Sequence, residues 1–267
     1  MKEALSYTHA ISGTLKGRIS QRADAELRSL RLLDRGRWAR KMTDMAIRGI
    51  EVEPLPACLG EGKSAILVSN YPSVSQALRA VMKVGCRLHG GKPRLKAIAR
   101  KELVEEANVL LKALGVDQFI LPATKDEAGK YTLEPKIIKE VLIHLESEGS
   151  ILWLSITGKT RGNGLLERDL RTGAALFSLK GRIPIVPMGL VTRERGGKPK
   201  VVKVRFGKPI NPLDEGKMSE FEMGDFLVDI SRLMMCEIAA LLPPGQRGDF
   251  ENVEEKLKEA RSRLGQQ

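Results

Sequence analysis

Aromatic residues, cysteines and histidines are scarce in this 267-residue chain, and long apolar runs are missing. Aromatic residues make up 4 % of the sequence, and there are three cysteines and three histidines. The cysteines are far apart and form no C-x-x-C pair, which excludes a disulfide framework and a zinc ribbon. No stretch of about 18 residues is apolar and uncharged, so we expect no membrane-spanning helix. Because the first residues also lack the apolar region of a signal peptide, we expect a cytoplasmic protein.

Positive charge is the abundant feature. The chain has 45 Lys and Arg against 33 Asp and Glu, a net charge of +12. Residues 1–48 hold 11 basic against 5 acidic residues, which is half of the excess. The same segment has an apolar stripe at helical spacing, made of Leu27, Leu30, Leu33, Trp38, Met42 and Met45. These features predict a basic amphipathic helical segment over residues 1–52.

Three partners fit such a segment. An anionic membrane surface suits its charge and its Trp, and would place the protein peripherally on the inner face of a membrane. Alternatively, the stripe packs on the rest of the protein and the arginines are solvated. Nucleic acid is the weakest candidate, because aromatic residues for base stacking are few and do not alternate with basic residues.

The rest of the sequence alternates between short apolar strands and amphipathic helices. We predict strands at residues 64–69, 94–100, 117–121, 151–154, 183–191 and 200–206. We predict helices at residues 74–84, 101–114, 134–147, 172–179, 218–242 and 252–264. The alternation predicts an α/β fold with a mostly parallel mixed sheet flanked by helices, over residues 53–247. Residues 248–267 are predicted as a charged C-terminal helix.

Four segments occur in an order that resembles a known enzyme family. They are Val-Ser-Asn-Tyr-Pro-Ser-Val-Ser-Gln at 68–76, Ala-Ile-Ala-Arg-Lys-Glu-Leu at 97–103, Leu-Ser-Ile-Thr-Gly-Lys-Thr-Arg at 154–161 and Ile-Pro-Ile-Val-Pro-Met at 183–188. The series is similar to the motif blocks of the glycerol-3-phosphate and 1-acylglycerol-3-phosphate (lysophosphatidic acid) acyltransferases. This resemblance covers about residues 55–247 and implies a glycerolphosphate acyltransferase-like fold.

The catalytic positions depart from the family pattern. In the family, an H-x-x-x-x-D pair follows the first strand, and its His removes a proton from the acceptor hydroxyl. Here Tyr71 stands at the His position and Gln76 at the Asp position. A phenol with a pKa near 10 is a poor general base at neutral pH. In the third block, Gly158 and Thr157 replace the family's Glu and Pro, so the resemblance implies a catalytically degenerate member.

The basic, phosphate-binding part of the pattern persists. The resemblance carries Arg100, Lys101, Thr160 and Arg161 over as substrate- or phosphate-binding residues, because Arg and Lys suit phosphate groups. We add to this candidate site Asn70 and Ser73 of the first block, Gly158 of the third block, and Arg171, which lies beyond the third block. No metal or resident cofactor is expected. An acyl donor, if one is used, would be acyl-coenzyme A or acyl carrier protein.

Two other chemistries receive little support. Residues 157–160 read like the end of a phosphate-binding P-loop, but Trp153 stands where that loop needs a Gly. Ser73, Ser75 or Cys86 would serve as a new nucleophile only if His89 or His144 approached in space.

Three functions remain open from the sequence. The first is a degenerate acyltransferase homologue that binds an anionic lipid, acyl or phosphate group at a membrane surface. The second is an active acyltransferase with a non-standard base, which moves an acyl group to a glycerol-phosphate or lysophospholipid hydroxyl. The third is a scaffold protein with a vestigial pocket.

Overall fold

The computed structural model describes residues 47–60, 63–88, 94–102, 104–105, 119–127, 131–156, 165–167, 170–211 and 220–264. All of these residues belong to one compact unit. Residues 1–46 of the predicted N-terminal helical segment, which was predicted over residues 1–52, lie outside the described residues. Its last two predicted residues, Glu51–Val52, form a strand, so the sheet begins within the segment that was predicted to be helical.

Strands and helices alternate along most of the described chain. The strands are β1 Glu51–Val52, β2 Ala65–Ser69, β3 Leu95–Arg100, β4 Ile120–Lys125, β5 Tyr131–Thr132, β6 Ile151–Ser155, β7 Ile185–Glu194 and β8 Pro199–Phe206. The helices are α1 Ala57–Gly60, α2 Val74–Leu88, α3 Pro135–Glu146, α4 Gly173–Gly181, α5 Glu220–Leu241 and α6 Val253–Arg263. Two short 3₁₀ turns, Pro244–Gln246 and Gly248–Phe250, connect α5 to α6.

Within the described residues the strands form one eight-stranded sheet. Its order is β1-β8-β7-β2-β6-β3-β4-β5. Strands β7, β2, β6, β3 and β4 are parallel neighbours. Strand β8 is antiparallel to β7, and β5 is antiparallel to β4. The α/β class and the mostly parallel mixed sheet with flanking helices are therefore confirmed.

Continuous apolar runs explain why β2 and β6 are central. Every residue of β2 is buried, and Ile151 to Leu154 of β6 are buried as well. Such runs are typical of parallel strands that are covered on both faces. Helix α2 covers one face of the sheet with Ala77, Val81 and Val84. Helices α3 to α6 cover the other face and form the larger core with it.

Strands β7 and β8 form a long hairpin. Their register shifts between Val191 and Thr192. The hairpin closes at Gly196 and Gly197, whose φ values of 63° and 69° are those of a two-residue turn with both central residues left-handed. Arg195 N–H donates to Lys198 C=O across this turn at 3.0 Å.

Several predicted bounds differ from the observed ones. The strand predicted at 117–121 is observed at Ile120–Lys125, because β4 takes its register from parallel pairing of Leu121 with Ile98 and Ala123 with Arg100. Strand β5 was not predicted, since two residues carry no periodic signal. Most of the predicted helix 101–114 lies outside the described residues. No helix of the described chain is long and apolar enough to cross a membrane.

Gly248 provides a test of this packing. Its φ is +55°, and a Cβ there would come within 2.2 Å of Leu166 O. We expect Gly248→Ala to lower the free energy of unfolding by about 2–4 kcal/mol, from backbone strain and overlap. Urea unfolding measures this loss. The matched control is Gly245→Ala, because nothing lies within 4 Å of a Cβ at Gly245. Equal loss in both variants would contradict the packing.

Candidate functional site

The carboxyl ends of β2 and β6 form a switch point in the sheet. After β2 the chain turns to α2 on one face, and after β6 it leads to α4 on the other face. Because β2 and β6 are parallel neighbours, their connections diverge and leave a crevice between them. Ligands in open α/β sheets bind in such crevices, outside the carboxyl ends of the strands. The first, second and third sequence blocks run through this edge: they span the last two residues of β2, the last four residues of β3 and the last two residues of β6.

Asn70 fixes the end of β2. Its Nδ2 donates to Leu190 O at 3.1 Å, and its Oδ1 accepts from Leu190 N–H at 2.7 Å. The side chain is 2 % exposed. Both ends of the amide are thus paired with backbone of β7, which is how a buried amide avoids the cost of desolvation. Asn70, predicted as a ligand-binding residue, is observed in a structural role.

A cavity of about 660 Å³ lies at the crevice. This volume is within the range of about 300–1,000 Å³ that is usual for small-molecule sites. Residues from both sides of the sheet edge line it, including Tyr71, Arg100, Trp153 and Arg171. Much of the remaining wall is apolar and comes from Ile98, Leu133, Ile138, Leu154, Leu176 and Phe177. The cavity is suited to an apolar chain that ends in a negatively charged group.

Tyr71 contributes a neutral phenol to the cavity. Burial raises its pKa to about 12, and the nearby Arg100 guanidinium only partly opposes this shift. At neutral pH the phenol therefore stays protonated and can donate a hydrogen bond, but it cannot act as an effective general base. Together with the Arg100 cation, it forms a pair of donors for a phosphate or carboxylate oxygen.

Tyr131 extends this polar corner of the cavity. Arg100 Cζ lies 5.6 Å from the centroid of its ring, and Lys125 Nζ lies 5.3 Å from it. Its hydroxyl donates to Glu102 at 3.2 Å. Glu102 has a lowered pKa, mainly because of a backbone hydrogen bond, with Tyr131 and the nearby cations adding to the effect. The ring thus holds Arg100 beside the cavity by a cation–π contact.

The other predicted cations differ in their placement. Arg171 lines the cavity at the start of α4. Lys101 does not line it; its side chain is 56 % exposed, and its Nζ lies 3.9 Å from Glu105 Oε1. Gly158, Thr160 and Arg161 lie outside the described residues. Of the described cations in the predicted site, Arg100 and Arg171 are thus brought to the cavity.

Ser73 and Gln76 stabilise α2 and the hairpin. Ser73 Oγ accepts from Gln76 N–H at 3.4 Å, in the position of a helix N-cap. Gln76 Oε1 accepts from Val201 N–H at 3.0 Å and from Arg79 Nη1 at 3.2 Å. Gln76 does not line the cavity. Tyr71 and Gln76 stand at the two positions that correspond to the family's catalytic pair. They have separate roles here, because Tyr71 lines the cavity and Gln76 binds the backbone of β8.

A serine nucleophile is not assembled around Ser73. His144 Nε2 lies 3.2 Å from Ile151 O, at the amino end of β6. Ser73 follows the carboxyl end of β2, which is parallel to β6, so the two residues lie at opposite edges of the sheet. Burial lowers the pKa of His144 and keeps its imidazole neutral at physiological pH. His89 and the side chain of Cys86 lie outside the described residues.

Sequence reasoning missed much of the cavity wall. Tyr131 lies in a two-residue strand without periodicity, and Val228 lies on α5, far along the chain. Trp153 was considered only as a departure from a P-loop, although it lines the cavity and its Nε1 donates to Ser69 Oγ at 3.0 Å. The sequence signal that could have found part of this wall is the apolar residues near the carboxyl ends of the predicted parallel strands, such as Ile98 and Trp153.

The fold and the site define an α/β protein with an apolar cavity at a switch point, edged by arginine and a neutral tyrosine. No protein-family model matches this chain. A search of curated proteins likewise found no significant match. In the part of the chain that the structure describes, no three His, Cys, Asp or Glu residues are grouped as metal ligands.

The raised pKa of Tyr71 predicts an unusual titration. One tyrosine should ionise near pH 12, and ultraviolet difference spectroscopy of Tyr71→Phe should lack that transition. Because the pKa of Tyr71 in the folded state is above its ordinary value of 10.0, the stability that the neutral phenol contributes to the folded state is fully present below pH 10. That contribution is lost as the pH rises towards 12. Ionisation of all tyrosines together near pH 10 would contradict this environment.

The Gln76 contacts predict a structural rather than a ligand-binding role. We expect Gln76→Ala to lower the free energy of unfolding by about 1–3 kcal/mol, because Val201 N–H loses its acceptor. Binding in the cavity should not change. Ser75→Ala is the control, since Ser75 is exposed on the same turn. Chemical denaturation measures stability. Weaker ligand binding by a fully folded Gln76→Ala protein would oppose the assignment.

Proposed function

We propose that this protein is a catalytically degenerate member of the glycerolphosphate acyltransferase type, which binds a single-chain anionic lipid at a membrane surface. The observation that carries the proposal is the apolar cavity of about 660 Å³ with Arg100 and neutral Tyr71 at its polar corner. An acyl chain fits the apolar wall, and a phosphate or carboxylate fits the two donors.

The arrangement of the sequence blocks supports the family part of this proposal. The first, second and third blocks span the carboxyl ends of three neighbouring strands, β2, β3 and β6. The fourth block includes the start of β7, on the other side of β2. Tyr71, Arg100 and Leu154, one from each of the first three blocks, thus line one cavity, as a shared binding site requires.

The same geometry disfavours acyl transfer by a standard mechanism. Tyr71 is held neutral, and Gln76 is hydrogen-bonded to β8 instead of orienting the residue at position 71. Loss of general-base catalysis costs roughly 10²–10⁴-fold in rate. A scaffold function with a vestigial pocket is also disfavoured, because the described side chains leave a cavity of about 660 Å³ open.

A ligand-binding experiment that compares substitutions of the adjacent residues Arg100 and Lys101 tests the proposal. Purified full-length protein is titrated with fluorescently labelled lysophosphatidic acid, a fatty acid and inorganic phosphate. We expect binding of a ligand that has both an acyl chain and an anionic group. Arg100→Gln should weaken it by about 10–100-fold, because a charge-assisted hydrogen bond is lost. Lys101→Gln is the matched control, since it makes the same charge change at a side chain that does not line the cavity.

Each outcome separates the candidate functions. Equal effects of the two substitutions, or no binding of any acyl ligand, would reject the cavity as the lipid site. Turnover of acyl-coenzyme A or acyl carrier protein thioester by the native protein, with a glycerol-phosphate or lysophospholipid acceptor, would favour the active enzyme. We expect no such turnover.

The Tyr71→His/Gln76→Asp variant tests whether the family's His and Asp at these two positions confer acyl transfer. Asp is shorter than Gln, so this variant gives up the contact with Val201 and should also be less stable. Its turnover is therefore compared with that of Tyr71→His alone, at equal folded fraction.

A further inference from the structure

The tip of the β7–β8 hairpin presents its basic residues on one side. Arg193 is the cross-strand partner of Lys200, and Glu194 is the partner of Pro199. Side chains alternate between the two faces of a strand, and directly opposite residues share a face. Arg195 and Lys198, which flank the Gly-Gly turn, therefore lie on the same face as Arg193 and Lys200. We call these four residues the hairpin cation face.

These cations are exposed and make no ion pair with any carboxylate of the described chain. Further along β8 the situation is different. Lys203 Nζ lies 3.1 Å from both Glu51 and Glu53, and Arg205 Nε lies 3.3 Å from Glu53. The same strand thus has neutralised cations near β1 and uncompensated ones at its tip.

Side-chain hydrogen bonds anchor the base of the hairpin, although like charges face each other across its strands. Such cross-strand pairs are destabilising. Two glutamines hold the irregular pair below the tip: Gln76 accepts from Val201 N–H, and Gln246 both accepts from Thr192 N–H and donates to Thr192 C=O. A surface that carries several negative charges would relieve the repulsion within the hairpin cation face.

The position of the tip indicates which surface this is. Strand β7 is parallel to β2 and pairs with it only up to Met188 opposite Ser69. It then continues to Glu194, so the exposed tip extends from the same sheet edge as the cavity. Lipids with acyl chains reside in bilayers. A polyanionic membrane surface at this edge of the sheet would lie next to the cavity that such a lipid has to enter.

We propose that the hairpin cation face docks the protein on an anionic lipid bilayer with the cavity edge towards the membrane. The proposal rests on the lipid-binding function proposed above. Phosphate headgroups supply the negative charges, and the Gly-Gly turn lets the backbone approach the surface closely. Nucleic acid fits less well, because no aromatic residue lies between Arg193 and Lys200 to stack on a base.

The test uses full-length protein and vesicles of phosphatidylcholine with or without phosphatidylglycerol. In the hairpin variant, Arg193→Glu/Arg195→Glu, the new carboxylates face Lys200 and Lys198. Its stability should be unchanged or higher, so weaker binding cannot come from unfolding. We expect its affinity for the anionic vesicles to fall at least about tenfold. The neutral vesicles should bind neither protein appreciably.

The control variant, Lys139→Glu/Lys180→Glu, makes the same change in net charge at exposed residues of α3 and α4. It should retain most of the vesicle affinity. An equal fall in both variants, or no fall in either, would overturn the proposal. Selective loss of binding to RNA or to acyl carrier protein in the hairpin variant, with vesicle binding kept, would also overturn it and identify another partner.

Labelled lysophosphatidic acid in the absence of vesicles distinguishes a failed docking surface from a failed cavity. The hairpin variant should bind this ligand as the native protein does, since the hairpin tip does not line the cavity. If no protein binds the ligand, the lipid-binding function fails, and the vesicle comparison still reports on the hairpin by itself.

Discussion

The pairing of the Asn70 side chain with the Leu190 backbone is the contact on which the site and the hairpin both depend. It ends β2, so that the next residue, Tyr71, reaches the cavity, and it holds β7 at the point where that strand leaves β2. An amide side chain can replace one residue of a strand ladder in this way, because it offers a donor and an acceptor together. A hydrophobic residue at this position would leave two buried backbone groups without partners.

The sheet was predictable because its central strands are simple. Buried parallel strands such as β2 and β6 need apolar side chains on both faces, and that run is visible in the sequence. The cavity was predictable only in part. Tyr71 follows β2, Arg100 ends β3 and Arg171 precedes α4, all elements that could be recognised. Tyr131 and Val228 reach the cavity through long-range packing that leaves no local pattern.

Gln76 keeps the spacing of the family motif from position 71 but makes different hydrogen bonds. Five residues after Tyr71, the side chain lies on α2, where a carboxylate could orient an imidazole in the family pattern. Here it is turned to Val201 and Arg79. Spacing in a sequence determines which helix position a residue occupies, but the neighbouring strand determines which hydrogen bond its side chain makes. The irregular register of β7 and β8 provides that alternative partner.

The two ends of the sheet have a consequence for self-association. In the described chain, β1 and β5 are the outermost strands, and each is two residues long. An edge strand of that length presents few unpaired backbone groups of its own, and it covers only Lys203 and Val204 of β8 or Thr124 and Lys125 of β4. Within the described chain, a strand from a second molecule that paired along either end of the sheet would therefore have to pass the two-residue outer strand and continue on β8 or β4.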